Sequence, residues 1–152
     1  MDRLPVTVVT GALGAGKTTL VNHLIRSSGR RLAVIVNEFG DIGIDGDMIE
    51  TGSEELIELT SGCICCVVRG DLIRTLRDLL AQDRQLDGIV IETTGLANPG
   101  PVIQTFYADQ QLSARLRLDA VVTVVDALHG LAALERQDTE DQVALASVVL
   151  IN

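Results

Sequence analysis

The nine residues Gly11-Ala12-Leu13-Gly14-Ala15-Gly16-Lys17-Thr18-Thr19 constrain this chain more than any other stretch. They satisfy each fixed position of G-x-x-x-x-G-K-[ST], a loop whose backbone N–H groups cradle phosphates. Gly11, Gly14 and Gly16 open backbone conformations denied to other residues and let the main chain approach a polyphosphate. The N–H groups through Ala15 and Thr19 then converge on the anion, and the helix that follows presents its positive end. Lys17 is expected to reach the β- and γ-phosphates, and the Thr18 hydroxyl to ligate Mg²⁺. Lys17 is also the sole lysine among 12 basic residues, every other one being arginine. A compact ammonium is thus kept where a point charge on phosphate is wanted. The alternative is a glycine-rich strand-to-helix turn with no ligand.

The rest of the chain fits a helix-covered parallel sheet. Its 152 residues are one domain's worth and bury a sizeable core. Hydrophobic residues make up 47% of it and aromatic residues only 2%, so Val, Ile, Leu and Ala must fill that core. A net charge of −9 argues against nucleic acid or an anionic membrane as partner, so phosphate must be held locally. No apolar run approaches the roughly 18 residues of a membrane-spanning helix. The first strand begins almost at once with no signal peptide before it, which makes the cytoplasm the expected compartment. All three cysteines fall within four residues, a spacing suited to metal or redox chemistry and not to a disulfide framework.

Five β-rich runs are predicted as strands: Val6 to Thr10, Leu32 to Val36, Gly88 to Glu92, Leu118 to Val125 and Ser147 to Ile151. A helix from about Thr18 to Ser27 carries Leu20, Val21, Leu24 and Ile25 on one face, with Gly29 as its stop. His23 within it reads as an ordinary helical histidine. A second helix, Asp71 to about Ala81, has Asp71 as N-cap, Leu72, Ile73, Leu76, Leu79 and Leu80 on its apolar face, and Arg74 and Arg77 toward solvent. Pro99 and Pro101 start a short helix, and a weaker helical stretch spans about Glu140 to Ala146. Strand–loop–helix is the context the phosphate motif requires. The alternation predicts one α/β domain of the P-loop class, a mostly parallel sheet covered by helices on both faces.

Acidic residues gather just past strand ends, where open α/β sheets bind ligands. Glu92 is delivered there by Ile89, Val90 and Ile91 and is expected to hold Mg²⁺ through water or to orient an attacking water. With Lys17 it is the expected catalytic pair. Gly95 would let the following loop move with the γ-phosphate. Glu38 and Asp41, three apart in a glycine- and acid-rich loop, suit a metal or are simply solvated acids. Asp126 ends the fourth strand with His129 three residues on, and a helix cap is its plain alternative. Cys63 and Cys66 have the C-x-x-C spacing of zinc half-sites, with Cys65 as a third thiolate. Zn²⁺ takes four ligands, so one position is left for a carboxylate, histidine, water or partner group, as befits a site that must release its metal. Two thiolates plus Glu38 or Asp41, a Cys63–Cys66 redox pair and inert thiols are the other readings.

Taken together, Gly11 to Thr19, Asn37-Glu38-Phe39-Gly40, Gly62-Cys63-Ile64-Cys65-Cys66, Glu92-Thr93-Thr94-Gly95 and Val125-Asp126-Ala127 with His129 resemble the CobW-type metallochaperone GTPases, relatives of the hydrogenase- and urease-maturation GTPases. The resemblance implies a GTP-hydrolysing domain that binds a transition metal, Zn²⁺ or Co²⁺, and passes it to a client metalloprotein in step with the nucleotide. It implies phosphate and Mg²⁺ at Lys17 and Thr18, Glu92 as the Walker B acid, metal at Cys63, Cys65 and Cys66, and Glu38 within a nucleotide-sensing switch. It leaves room for a homodimer. Such proteins follow the fifth strand with Asn-Lys-x-Asp, whose Asp recognises guanine. Asn152 supplies only the first letter, so the chain is expected to be a GTPase domain truncated at its C-terminal end and lacking the family's usual second domain. A nucleotide-regulated metal sensor or storage module and an ATP-using relative are the rival readings.

Overall fold

The computed structural model describes residues 2–38, 57–58, 64–68, 72–94, 98–133, 135 and 137–152. Among the described residues, seven strands form one sheet: β1 (Leu4–Gly11), β2 (Leu32–Glu38), β3 (Ile57–Glu58), β4 (Ile64–Val68), β5 (Gly88–Thr94), β6 (Leu116–Val125) and β7 (Val148–Ile151). Across the sheet their order is β3-β4-β2-β5-β1-β6-β7, and all pairings are parallel except the short antiparallel β3–β4 ladder. The helices are α1 (Lys17–Ser27), α2 (Leu72–Ala81), α3 (Gly100–Ala108), α4 (Gln110–Arg115), α5 (Gly130–Ala133) and α6 (Gln137–Ala144).

Period-two alternation divides the strands between two cores. Val6, Val8, Ala33, Ile35, Ile89 and Ile91 face one side, where Leu72, Leu76 and Leu79 of α2, Val102 and Phe106 of α3 and Leu112 of α4 cover them. Their neighbours Val9, Val34 and Val90 face the other side and pack with Val21 of α1. Both faces are therefore covered, as the alternation of strands and helices requires. A β-bulge between the Val6–Leu118 and Thr7–Ala120 pairs adds one residue to β6. Leu118 before it and Val121 after it consequently face the same core, and Val124 reaches the α1 side.

The five predicted strands are β1, β2, β5, β6 and β7, with ends moved by one or two residues. Four pieces are new: β3, β4, α4 and the short α5. Strands β3 and β4 lie where the cysteine stretch showed no apolar alternation. Helix α4 is started by Asp109, whose carboxylate accepts from the N–H groups of Gln111 and Leu112 and also pairs with Arg77. Arg74 pairs instead with Asp78 one turn along α2. Asp71, the predicted cap of α2, lies outside the described residues. His23 is exposed on α1, as an ordinary helical histidine would be.

Leu76 is 0% exposed at the centre of the larger core. Leu76→Ala should cost about 2–5 kcal/mol of stability. In a urea titration this appears as a lower midpoint with an unchanged slope.

Candidate functional site

The carboxyl ends of the parallel strands form one edge, and among the described residues every buried polar group except Thr75 collects there: Thr10, Lys17, Asn37, Glu92, Thr93, Thr123 and Gln142. Burying so many polar groups is costly unless they are bonded, so their concentration at one edge marks a functional surface. The register sets their order. Glu92 lies between Val9 of β1 and Val36 of β2, with Asn37 beside Thr93 and Glu38 beside Thr94.

β1 runs straight into the glycine loop. Gly11 (φ 143°) stands so close to β6 that a Cβ on it would lie 2.3 Å from the Val124 carbonyl oxygen. Gly16, at φ 109°, caps α1 in a left-handed conformation that turns the chain into the helix. Lys17 begins the helix and folds back over the loop. Its Nζ donates to the carbonyls of Gly11 (2.6 Å) and Ala12 (3.1 Å), and the residue as a whole is 6% exposed. Burial pushes the Lys17 ammonium below the usual lysine range, and the Glu92 carboxylate opposes that shift.

Alternation along β5 sends Glu92 to the same face as Val90, the α1 side. There Thr18 Oγ1 donates to Glu92 Oε1 at 2.9 Å, and the Glu92 residue is 5% exposed. A hydroxyl and a carboxylate set together are the hard oxygen donors that Mg²⁺ takes, so Thr18 and Glu92 fit that ion. A cavity of about 310 Å³ opens above them, lined by Leu13, Gly14, Gly16, Lys17, Thr18, Thr19 and Glu92. Its converging backbone, single ammonium and helix N-terminus suit a polyphosphate.

Asn152 joins this constellation from the far end of the chain. Its Nδ2 donates to the Ala15 carbonyl at 3.1 Å, its N–H to Val125 O at 2.8 Å, and its own carbonyl accepts from Ala127 N at 2.7 Å. A Cβ on Gly16 would lie 2.7 Å from Asn152 Nδ2, so loop and side chain are packed together. Sequence reasoning placed Asn152 only as the opening of a base-recognition motif. The tie to the loop spans 137 residues and leaves no local signal.

Cys65 and Cys66 lie in β4, with Cα partners Val34 and Ile35 of β2, three to four residues before Glu38 on that strand. Cys63, Asp41 and Gly95 lie outside the described residues. The structure thus brings together Gly11, Gly14, Ala15, Gly16, Lys17, Thr18, Thr19, Glu92 and Asn152, and sets two of the three cysteines two strands from Glu92. Sequence reasoning missed the band formed by Thr10, Thr93 and Thr123, because threonine in a strand is ordinary β-former usage.

Comparison with known proteins bears on the same region. Residues 5–152 match the model of the CobW/HypB/UreG nucleotide-binding domain. Zinc-regulated GTPase metalloprotein activator 1 of Schizosaccharomyces pombe is 46% identical over 133 residues, 83% of this chain and 32% of that protein. Zinc chaperone CobW of Sinorhizobium sp is 45% identical over 148 residues, 93% of this chain and 41% of that protein. The chain thus spans less than half the length of these curated relatives. The crystal structure of the Zn(II)-bound YjiA GTPase from Escherichia coli superposes with a TM-score of 0.82 at 41% identity, covering 99% of this chain and 49% of that one. The sequence match, the shared sheet and the phosphate loop at its edge lead to one assignment: the chain belongs to the CobW/HypB/UreG family of nucleotide-binding domains.

Proposed function

We propose that this chain is the GTP-binding and GTP-hydrolysing domain of a cytoplasmic metallochaperone, and that it binds a transition metal at Cys63, Cys65 and Cys66 and couples transfer of that metal to the nucleotide. The single observation that carries the reading is the loop-edge constellation. Lys17 is poised on the glycine loop, and the Thr18–Glu92 oxygen pair lies directly beneath the phosphate cavity. On binding, Lys17 would exchange two carbonyls for phosphate oxygens, and Thr18 with Glu92 would hold Mg²⁺, whose charge would offset that of the β- and γ-phosphates. Asn152 keeps the loop at its working height through Ala15.

Zn²⁺ is the favoured cargo because the relatives just described carry zinc in their names; Co²⁺ is the competitor. The client is a metalloprotein. A coupling route is short: β2 separates the cysteine strand β4 from β5, which bears Glu92. Glu92 would then lie two strands from the metal ligands, with β2 alone between them, and Glu38 at the end of β2 lies along that route. Linkage demands reciprocity, so bound metal must alter nucleotide affinity by the factor by which nucleotide alters metal affinity.

Replacing Cys65 and Cys66 together by serine should weaken zinc binding by more than the roughly 10–100-fold that loss of an outer-shell partner costs. GTP-analogue affinity should stay unchanged in the absence of metal. Competition with a chromophoric chelator, with and without GTP analogue, measures the zinc affinity, and calorimetric titration of the metal-free protein measures the analogue affinity. Identical zinc affinities in the two nucleotide states would refute the coupling. Zinc binding without phosphate release would favour a nucleotide-regulated sensor or storage module.

A further inference from the structure

The end of the sheet opposite the glycine loop differs in charge from the rest of the chain. Arg3, Arg30, Arg31, Arg84, Arg115 and Arg117 stand at the amino ends of β1, β2, β5 and β6. The acids that accompany them there are Asp2, Asp83, Asp87 and Asp119. This end is therefore net positive, in a chain whose net charge is −9.

A cleft of about 470 Å³ opens at that end, larger than the phosphate cavity. Leu79 and Leu80 at the end of α2, Leu86 before β5 and Leu4 of β1 give it an apolar floor continuous with the larger core. Arg3, Arg84 and Arg115 stand on its rim. Among the described residues each of these guanidiniums is bonded to a neutral acceptor alone. Arg3 Nη1 donates to the Ser113 carbonyl at 3.4 Å, Arg84 Nε to Gln82 Oε1 at 2.9 Å, and Arg115 Nη1 to the Leu80 carbonyl at 2.9 Å. Arg31 and Arg117, by contrast, pair with Asp87 and Asp119 outside the cleft. Asp2 and Asp83 also line the cleft, and among the described residues neither pairs with any of the three rim arginines. A guanidinium has five N–H donors, so each of the three keeps donors for a carboxylate.

An apolar floor beneath forked cations fits an amphipathic acid better than a bare anion. We propose that this cleft is a docking site for an acidic segment of a partner protein, in which carboxylates flank a leucine-sized apolar side chain. The arginines would take the carboxylates, and the leucines would take the apolar side chain out of water. Charge complementarity singles out such an occupant. A segment rich in Asp and Glu is repelled by the rest of the chain and steered to its net positive end. An extended polyanion, whether nucleic acid or membrane surface, would lie against the acidic remainder as well, whereas a short segment is confined to the cleft. β1 runs eight residues, about 25 Å, from the cleft to the glycine loop. The segment and a nucleotide can therefore be bound together.

The test measures fluorescence anisotropy of a fluorescein-labelled peptide, Gly-Asp-Glu-Leu-Leu-Glu-Asp-Gly, with nucleotide-free protein. Wild-type protein should bind it, and about 0.5 M NaCl should weaken that binding by screening. Arg84→Glu should weaken it about 10-fold, because one attraction is lost and one repulsion is gained. The Arg84 side chain bonds only to that of Gln82 two residues away, so this variant should keep the wild-type thermal melt. Arg84→Lys retains the charge without the fork and should lose less. Replacing both leucines of the peptide by glycine should weaken binding about 10-fold. Amide hydrogen exchange should slow at residues 82–86 when the peptide binds and stay unchanged at residues 11–19. No binding by wild type, equal binding by Arg84→Glu, or slowed exchange confined to residues 11–19 overturns the proposal. So does binding of phosphatidylserine vesicles or single-stranded RNA without binding of the peptide. None of these measurements involves GTP, so their outcome is separate from that of the GTPase reading.

Discussion

Lys17→Ala should abolish measurable nucleotide binding while leaving a folded domain. The ammonium is satisfied by the Gly11 and Ala12 carbonyls and the Lys17 residue is 6% exposed, a position with a desolvation cost already met. Phosphate oxygens replace those neutral acceptors by charged ones, in a cavity where no second basic side chain is present among the described residues. Removing one partner of a buried charged interaction costs about 3–5 kcal/mol, which corresponds to roughly 10²–10³-fold or more in affinity. Calorimetric titration with GTP analogue and Mg²⁺ reads this directly. A second measurement separates lost chemistry from lost structure. Because burial lowers the Lys17 pKa, the unfolded chain binds more protons than the folded one between the two values. Wild-type stability should therefore rise as pH climbs from the folded pKa of Lys17 to the ordinary lysine value, and the alanine variant should lack that component. An analogue affinity within tenfold of wild type would remove Lys17 from the site.

What could be read from the residues follows how local each signal is. The glycine loop and the apolar runs of β1, β2, β5, β6 and β7 are written in consecutive residues, as is the amphipathic face of α2. Those features needed nothing from elsewhere in the chain. Strand β4 did not declare itself, because Cys65 and Cys66 interrupt the β-branched pattern and its conformation is set by pairing with β2. The two-residue β3 exists only as the partner of β4. Glu92 was legible as a strand-end acid, but its bond to Thr18 depends on alternation carried through a strand and on where α1 crosses the sheet. The Asn152 amide on Ala15 and the Asp126–His129 pair beside Leu13 are products of β6 and β7 standing next to β1, a sheet order that no window of sequence contains.

Gly11→Ala should be the most damaging single substitution to the fold at this site, by a mechanism unlike that of Lys17. Gly11 closes β1 and pairs with Val124 of β6. The Cβ of an alanine would lie 2.3 Å from the Val124 carbonyl oxygen and 3.2 Å from its carbon and nitrogen. These are backbone atoms of a buried strand, so no rotamer change relieves the overlap. The φ of 143° adds strain, since side-chain-bearing residues rarely adopt it. The strands must separate at their carboxyl ends, and the parts tied to that junction move with them. Those parts are the Lys17 bond to the Gly11 carbonyl, the Asn152 N–H bond to Val125, and the seat of Asp126 one residue later. A bond or backbone distortion of this size costs about 3–5 kcal/mol. For a domain of this length that lowers the melting temperature by roughly 6–20 °C. Phosphate binding should fall even below the new melting point, because the loop loses its height over α1 before the core around Leu76 opens. Thermal melts with and without GTP analogue distinguish the two effects. Gly14→Ala serves as the control: its Cβ meets nothing within 4 Å, so only the φ of 79° resists it, and the loss of stability should be smaller. Equal losses at Gly11 and Gly14 would mean that φ alone is responsible and that the contact with Val124 contributes nothing.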